Sequence, residues 1–158
     1  MIRLRSWPYR GDFLVLYYGI FLGCHREVSV QQNIVCRQVG DTQLELDLYF
    51  LSSKPKNPRP AVIALHGGAW RHGDKGDMME LAIKLAKRGY VVASVGYRFA
   101  PDWPFPAQLE DVQAAVRSLR QHAKEYQIEP EKIGGLGASA GAHLVVLLGL
   151  VDEISVSE

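Results

Sequence analysis

The chain has 158 residues, 47% of them apolar, which is the size and composition of one folded domain with a core of its own. Eighteen basic residues stand against 17 acidic ones, for a formal charge of +1 with no long block of either sign, so electrostatics gives no reason to expect nucleic acid or an anionic surface as partner. Two cysteines, Cys24 and Cys36, are too few for a disulfide-stapled scaffold, and without a CxxC pair or neighbouring histidines they do not describe a zinc site.

Residues 1–27 read as an N-terminal extension. Arg3 and Arg5 precede an apolar run over residues 13–23 that ends at Cys24. The run is too short for a bilayer-crossing helix, which needs about 20 apolar residues, so no transmembrane span is expected. It does have the length of a signal-peptide core, and Ile20-Phe21-Leu22-Gly23-Cys24 resembles a lipoprotein cleavage box. Asp12 directly before the run and Phe21 within the box speak for the other reading, a locally packed extension. Compartment stays open between cytoplasmic and exported, and so does a disulfide between Cys24 and Cys36.

From residue 28 the punctuation is clear, and residues 28–158 read as one partial domain. Residues 28–36 form a strand, Gly40-Asp41 supplies a turn, and residues 44–50 alternate apolar and polar as a half-buried strand does. Together they predict an antiparallel hairpin. Residues 52–60, with three prolines, read as a solvent loop. The apolar run Ala61-Val62-Ile63-Ala64-Leu65 then predicts a strand covered on both faces. Residues 77–88 predict a helix, with Met78, Leu81, Ala82, Leu85 and Ala86 on one face and Glu80 set to pair with Lys84. Gly89 stops it, and residues 90–95 form a second buried strand. A proline-rich loop over residues 101–106 leads into a helix with Leu109, Val112, Val116, Leu119 and Ala123 on one stripe. Glu110, Gln113, Arg117, Arg120 and Lys124 lie opposite. Residues 133–136 are a third short strand and residues 140–150 a third helix. A hairpin followed by alternating strands and helices predicts an α/β fold with a parallel sheet and crossover helices.

Gly137-Ala138-Ser139-Ala140-Gly141 fits G-x-S-x-G where the third parallel strand gives way to a helix. A serine on so tight a turn projects its hydroxyl above the sheet edge. Gly137 and Gly141 avoid a side-chain clash, and the helix N-terminus favours developing negative charge there. Gly135-Leu136-Gly137-Ala138-Ser139-Ala140 also fits a dinucleotide fingerprint, but that motif opens the first strand–helix unit of its fold, and here two such units precede it.

His66-Gly67-Gly68-Ala69-Trp70 follows directly on the first buried strand. Acyl transfer needs N–H donors aimed where a carbonyl oxygen becomes an oxyanion. The amides of Gly67 and Gly68, with that of Ala140 after the nucleophile, are the expected donors. Trp70 either walls the substrate pocket or packs over the loop.

Taken with Tyr97-Arg98-Phe99-Ala100-Pro101 and Phe105-Pro106-Ala107, these motifs resemble, in the same order, the α/β-hydrolase esterases of the hormone-sensitive-lipase and feruloyl/acetyl-esterase-like branch. The resemblance runs over residues 33–151 and implies a carboxylic-ester hydrolase with a small-molecule substrate, a Ser-Asp/Glu-His triad and no cofactor or metal. Ala69 departs from a commoner third glycine, and Ala142 from a frequent glycine after the elbow.

In such a fold the acid and histidine follow the serine. After Ser139 come His143, Asp152, Glu153 and Glu158. His143 lies four residues down the helix leading away from the elbow and is expected to pack rather than serve as base. His66 is expected to brace its own loop and His122 to be solvated. His72 lies near the cleft without an orienting acid, and His25 precedes the first strand. The expectation is therefore the N-terminal portion of an α/β-hydrolase, with its C-terminal strands missing and little turnover on its own. An open strand edge would then invite self-association. The alternatives are a serine peptidase of the same fold and a non-catalytic module.

Overall fold

In the computed structural model, which describes residues 26–151, β1 (Val28–Val39) and β2 (Thr42–Leu51) form the antiparallel hairpin, turned at Gly40 with φ +55°. β2 then runs antiparallel to β4 (Val91–Val95), β4 parallel to β3 (Arg59–Leu65), and β3 parallel to β5 (Ile128–Gly137). The sheet order is β1-β2-β4-β3-β5. The three apolar runs are thus the parallel strands, as their composition predicts. β3 lies second from one edge, so the segments leaving β3 and β5 emerge side by side.

Among the described residues three helices cover the sheet: α1 (Met79–Ala86), entered through a short 3₁₀ turn at Lys75–Met78, α2 (Ala107–Gln121) and α3 (Ala140–Leu150). Leu109, Val112, Val116 and Leu119 of α2 and Leu144 of α3 pack with Leu46, Leu48, Ile63 and Val95. Met78, Ala82 and Ala86 pack with Tyr49, Ala64 and Val92 on the other face. A strand's side chains alternate between faces, so these two sets make three layers around one sheet.

Several boundaries and faces differ from the sequence reading. Arg59 and Pro60 begin β3 rather than ending a loop, because the Arg59 N–H bonds Gln127 O at 2.9 Å beside the start of β5. The third parallel strand starts earlier than residue 133, at Ile128. β2 is buried on both faces, not one: Asp47 lies under the 3₁₀ turn, where it meets Lys75 Nζ at 3.3 Å and accepts from Asn33 N–H at 2.9 Å. On α1 it is Ile83, not Leu81, that packs inward, and Leu81 is exposed. Gln113, expected on the polar side of α2, is buried, as are Gln108, Asp111 and Ser118. Gly89 ends α1 with φ +99°, as expected of a helix stop.

Among the described residues no helix is long and apolar enough to cross a membrane. The apolar run over 13–23, Cys24, His25 and the acids after residue 151 lie outside the described residues.

Candidate active site

β5 ends at Gly137 and α3 begins at Ala140, leaving Ala138 and Ser139 to make the turn. Ser139 has φ +46° and ψ −113°, outside the regions open to ordinary L-residues, a strain of about 1–3 kcal/mol that persists where the surroundings impose it. Both glycines of the motif are demanded by backbone contact. A Cβ on Gly137 would overlap the Gly141 backbone, and one on Gly141 would overlap the Leu65 and His66 carbonyl oxygens at the end of β3. The second requirement differs from the expected glycine-to-glycine clash: Gly141 is small so that α3 can start against β3. The Ala138 N–H donates to Leu65 O at 3.0 Å and fastens the elbow there.

The segment after β3 lies directly beside this turn. A Cβ on Gly67 would stand 3.5 Å from Ser139 Cβ and 3.2 Å from Ala138 O. Gly68 has φ +112°, and a Cβ there would overlap His72 O. Ala69 and Trp70 follow at φ +51° and +61°, the left-handed region that costs a residue with a Cβ about 1–2 kcal/mol. The loop closes on itself where the Arg71 and His72 N–H groups donate to Gly68 O at 2.9 and 3.2 Å.

The direction of this loop's amides is set by what holds its carbonyls. Tyr97 Oη donates to His66 O at 2.9 Å and lies 3.3 Å from Gly67 O, while His66 Nδ1 donates to Gly67 O at 2.7 Å. Across a trans peptide the C=O of one residue and the N–H of the next point opposite ways. Carbonyls drawn toward Tyr97 therefore turn the Gly67 and Gly68 N–H groups away from it. Among the described residues neither amide, nor that of Ala140 in the first turn of α3, donates to another backbone group.

Ser139 is exposed, and the expected histidine roles divide. His66 is buried and stacked on Tyr97 at 4.4 Å, bracing the loop, with Nε2 unpartnered among the described residues. His122 is exposed, as expected, and its Nδ1 lies 2.9 Å from Ser118 O just past the end of α2. His143 sits edge-on against Trp70 at 5.3 Å, a packing contact. None of these contacts reaches the Ser139 hydroxyl. Trp70, 37% exposed, does not line the cavity of about 400 Å³ on the same rim, which His66, Tyr97, Trp103, Glu45 and Lys75 help to form. Among the described residues no group of three or more His, Cys, Asp or Glu side chains is placed to hold a metal ion.

Two contributors escaped the sequence reading. The Tyr97 hydroxyl is one; burial pushes its pKa up to about 12, so it remains a donor at neutral pH. Asp111 is the other. Fully buried, it accepts from Arg98 N–H, Nε and Nη2 and from Arg37 Nη1 at 2.7–3.2 Å. Its hydrogen bond is the foremost cause holding the Arg98 pKa above its usual value. The available signal was an aspartate between Leu109 and Val112, on the stripe facing the core.

A family model described as BD-FAE matches residues 46–156. The esterase LipC of Mycobacterium tuberculosis is 34% identical over 113 residues, which cover 70% of this chain and 28% of that protein. The kynurenine formamidase of Danio rerio is 35% identical over 134 residues, covering 82% and 43%. Among solved structures, the propionate-bound esterase Est2 of Thermogutta terrifontis superposes with a TM-score of 0.74 at 29% identity, covering 83% of this chain and 48% of that one. The chain thus spans less than half the length of each.

Proposed function

The chain belongs to the BD-FAE family of α/β-hydrolase esterases by its match over residues 46–156, and on that premise we propose that it supplies the nucleophile and oxyanion cradle of a serine hydrolase acting on small carboxylic esters. Ser139 Oγ attacks the ester carbonyl, the alcohol leaves, and water then releases the acid from the acyl-enzyme. The amides of Gly67, Gly68 and Ala140 receive the oxyanion, and Trp70 walls the bound substrate. The observation that carries this reading is the strained Ser139 turn with its Cβ 3.5 Å from the Cβ position of Gly67. The base that takes the serine proton is assigned to polypeptide outside residues 26–151, and residues 28–158 to one part of a hydrolase domain.

A panel of p-nitrophenyl esters, N-formyl amides and peptide anilides separates the substrate classes. Ester turnover that vanishes in Ser139→Ala is the expected result. Cleavage of the anilides alone would make the protein a peptidase. No cleavage of any class, with no labelling of Ser139 by a fluorophosphonate, would leave a non-catalytic module, the reading favoured by the lack of a base beside Ser139 among the described residues.

The open side of β5 is assigned to pairing with a second copy. Glu131 and Lys132 are both exposed, and antiparallel self-pairing centred between them sets each opposite an unlike charge.

A further inference from the structure

We propose that Tyr97 is the positioning residue of the oxyanion loop: its hydroxyl, acting through the His66 and Gly67 carbonyls, sets the direction in which the Gly67 and Gly68 amides point. The inference rests on the hydrolase reading above and adds a residue that does not touch substrate.

Three observations converge on it. First, Tyr97 Oη reaches two successive carbonyls of the loop, His66 O at 2.9 Å and Gly67 O at 3.3 Å. A third loop carbonyl, Trp70 O, accepts from Ala100 N–H at 2.8 Å. The strand-exit segment 97–100 therefore holds the oxyanion loop by its oxygens, and trans geometry leaves the intervening N–H groups on the far side. Second, the loop cannot hold that shape cheaply unaided. It places Gly68, Ala69 and Trp70 at φ +112°, +51° and +61° in succession, a run of left-handed residues that relaxes unless outside contacts determine it. Third, Tyr97 is itself fixed. It is 4% exposed, stacks on His66, meets Phe99 edge-on at 5.6 Å, and is followed by Arg98, whose N–H and guanidinium are both bound by Asp111. A rigid phenol therefore holds a strained loop.

The energetic logic is that of a preorganised site. Donors already aimed at the developing charge need not reorient during reaction. Losing the hydroxyl removes no donor from the oxyanion; it releases the peptides that carry the donors. The expected signature is a loss in kcat with KM nearly unchanged, because the misaimed amides matter once the oxygen bears charge.

The test compares wild type, Tyr97→Phe and a variant with 4-aminophenylalanine at position 97, which restores an N–H donor. Three quantities are measured: the rate of Ser139 phosphonylation by a fluorophosphonate, kcat and KM on a p-nitrophenyl ester, and a crystal structure of Tyr97→Phe. The expected result is a fall in kcat and labelling rate of about 10-fold or more, below the 10²–10³ of losing a donor outright. KM stays within about twofold, the amine variant recovers much of the rate, and the crystal structure shows the His66–Gly67 or Gly67–Gly68 peptide rotated. Equal rates in wild type and Tyr97→Phe, or an undisturbed loop, overturn the proposal. A wild-type chain that neither labels nor turns over defeats the hydrolase reading instead, and loop orientation in the crystal then decides the positioning claim by itself. If Tyr97→Phe fails to fold, the amine variant decides alone: rate retained with its N–H on the His66 and Gly67 carbonyls supports the proposal, and rate retained with that N–H out of hydrogen-bond reach of both overturns it.

Discussion

At the level of single residues, the site is built from positions that tolerate no Cβ and from three, Ala69, Trp70 and Ser139, that carry a Cβ where few do. Gly137→Ala should lose Ser139 reactivity and cost about 2 kcal/mol or more, since its methyl would overlap the Gly141 backbone; fluorophosphonate labelling and urea denaturation check both parts. Gly134 lies on the same strand with nothing within 4 Å of an added Cβ, so Gly134→Ala should be silent in both assays. Tyr97 also gives a pH signature. Burial raises its folded pKa to about 12, above the ordinary tyrosine value of about 10, so the stability it contributes is complete below pH 10 and is lost as pH climbs toward 12. Tyr97→Phe should flatten that alkaline loss in thermal melts taken between pH 9 and 12. Gly137 was legible in the sequence because the constraint it answers is local, a turn crowding its own neighbours, whereas the motif located Gly141 without its reason, the carbonyls of Leu65 and His66 at the end of a distant strand. Tyr97 was not legible as a contributor, because the carbonyl it binds lies 31 residues upstream and no spacing rule links a strand exit to a distant loop.

At the level of elements, periodicity located every strand and helix that frames the site, since a buried strand and an amphipathic helix announce themselves by side-chain repeat. It misjudged α2. Counting apolar residues gave a single stripe, whereas Gln108, Asp111, Gln113 and Ser118 are buried as well. Polar residues can be inside when their partners are inside too, and a sequence does not display the partners. Asp111 is the clearest case, binding Arg98 and Arg37 from two other segments. Asp111→Ala should cost about 3–5 kcal/mol, because it strands two guanidinium groups around a buried vacancy. Urea unfolding of this variant against wild type measures the loss. Since Arg98 adjoins Tyr97, labelling of Ser139 should fall as well in the folded protein. The reactivity of Cys36 belongs to this scale, because the hairpin half-buries it beside Leu44 O. Burial, the largest cause, pushes its thiol up to about 11, so alkylation by iodoacetamide at pH 8 should be on the order of 100-fold slower than for an open thiol of pKa about 8.5.

At the level of the whole molecule, the sheet ends in two edge strands, β1 and β5, among the described residues. β1 pairs with β2 alone and β5 with β3 alone, and it is the β5 edge that carries an apolar helix beside it. Over β5 lies α3, Ala140–Leu150, a helix without a charged residue, on which Val146 and Leu150 are 56% and 77% exposed. A cavity of about 330 Å³ beside Gly134 and Gly135 opens as far as Ile63 of β3. An apolar helix and an unpaired strand edge together favour association. Light scattering should therefore report a mass that rises with concentration, and Gly134→Lys, which sets a charge on the edge without a clash, should restore the monomer. A concentration-independent monomer for the unaltered chain would remove the pairing assignment while leaving the site untouched.

The account depends on a serine hydroxyl lifted beside outward-facing amides, and one structure tests that most directly: a crystal of the protein after treatment with an alkyl fluorophosphonate. The predicted result is phosphorus bonded to Ser139 Oγ, with its phosphoryl oxygen within hydrogen-bond distance of the Gly67, Gly68 and Ala140 amides. An adduct whose oxygen faces solvent, or phosphorus on any residue other than Ser139, would contradict it.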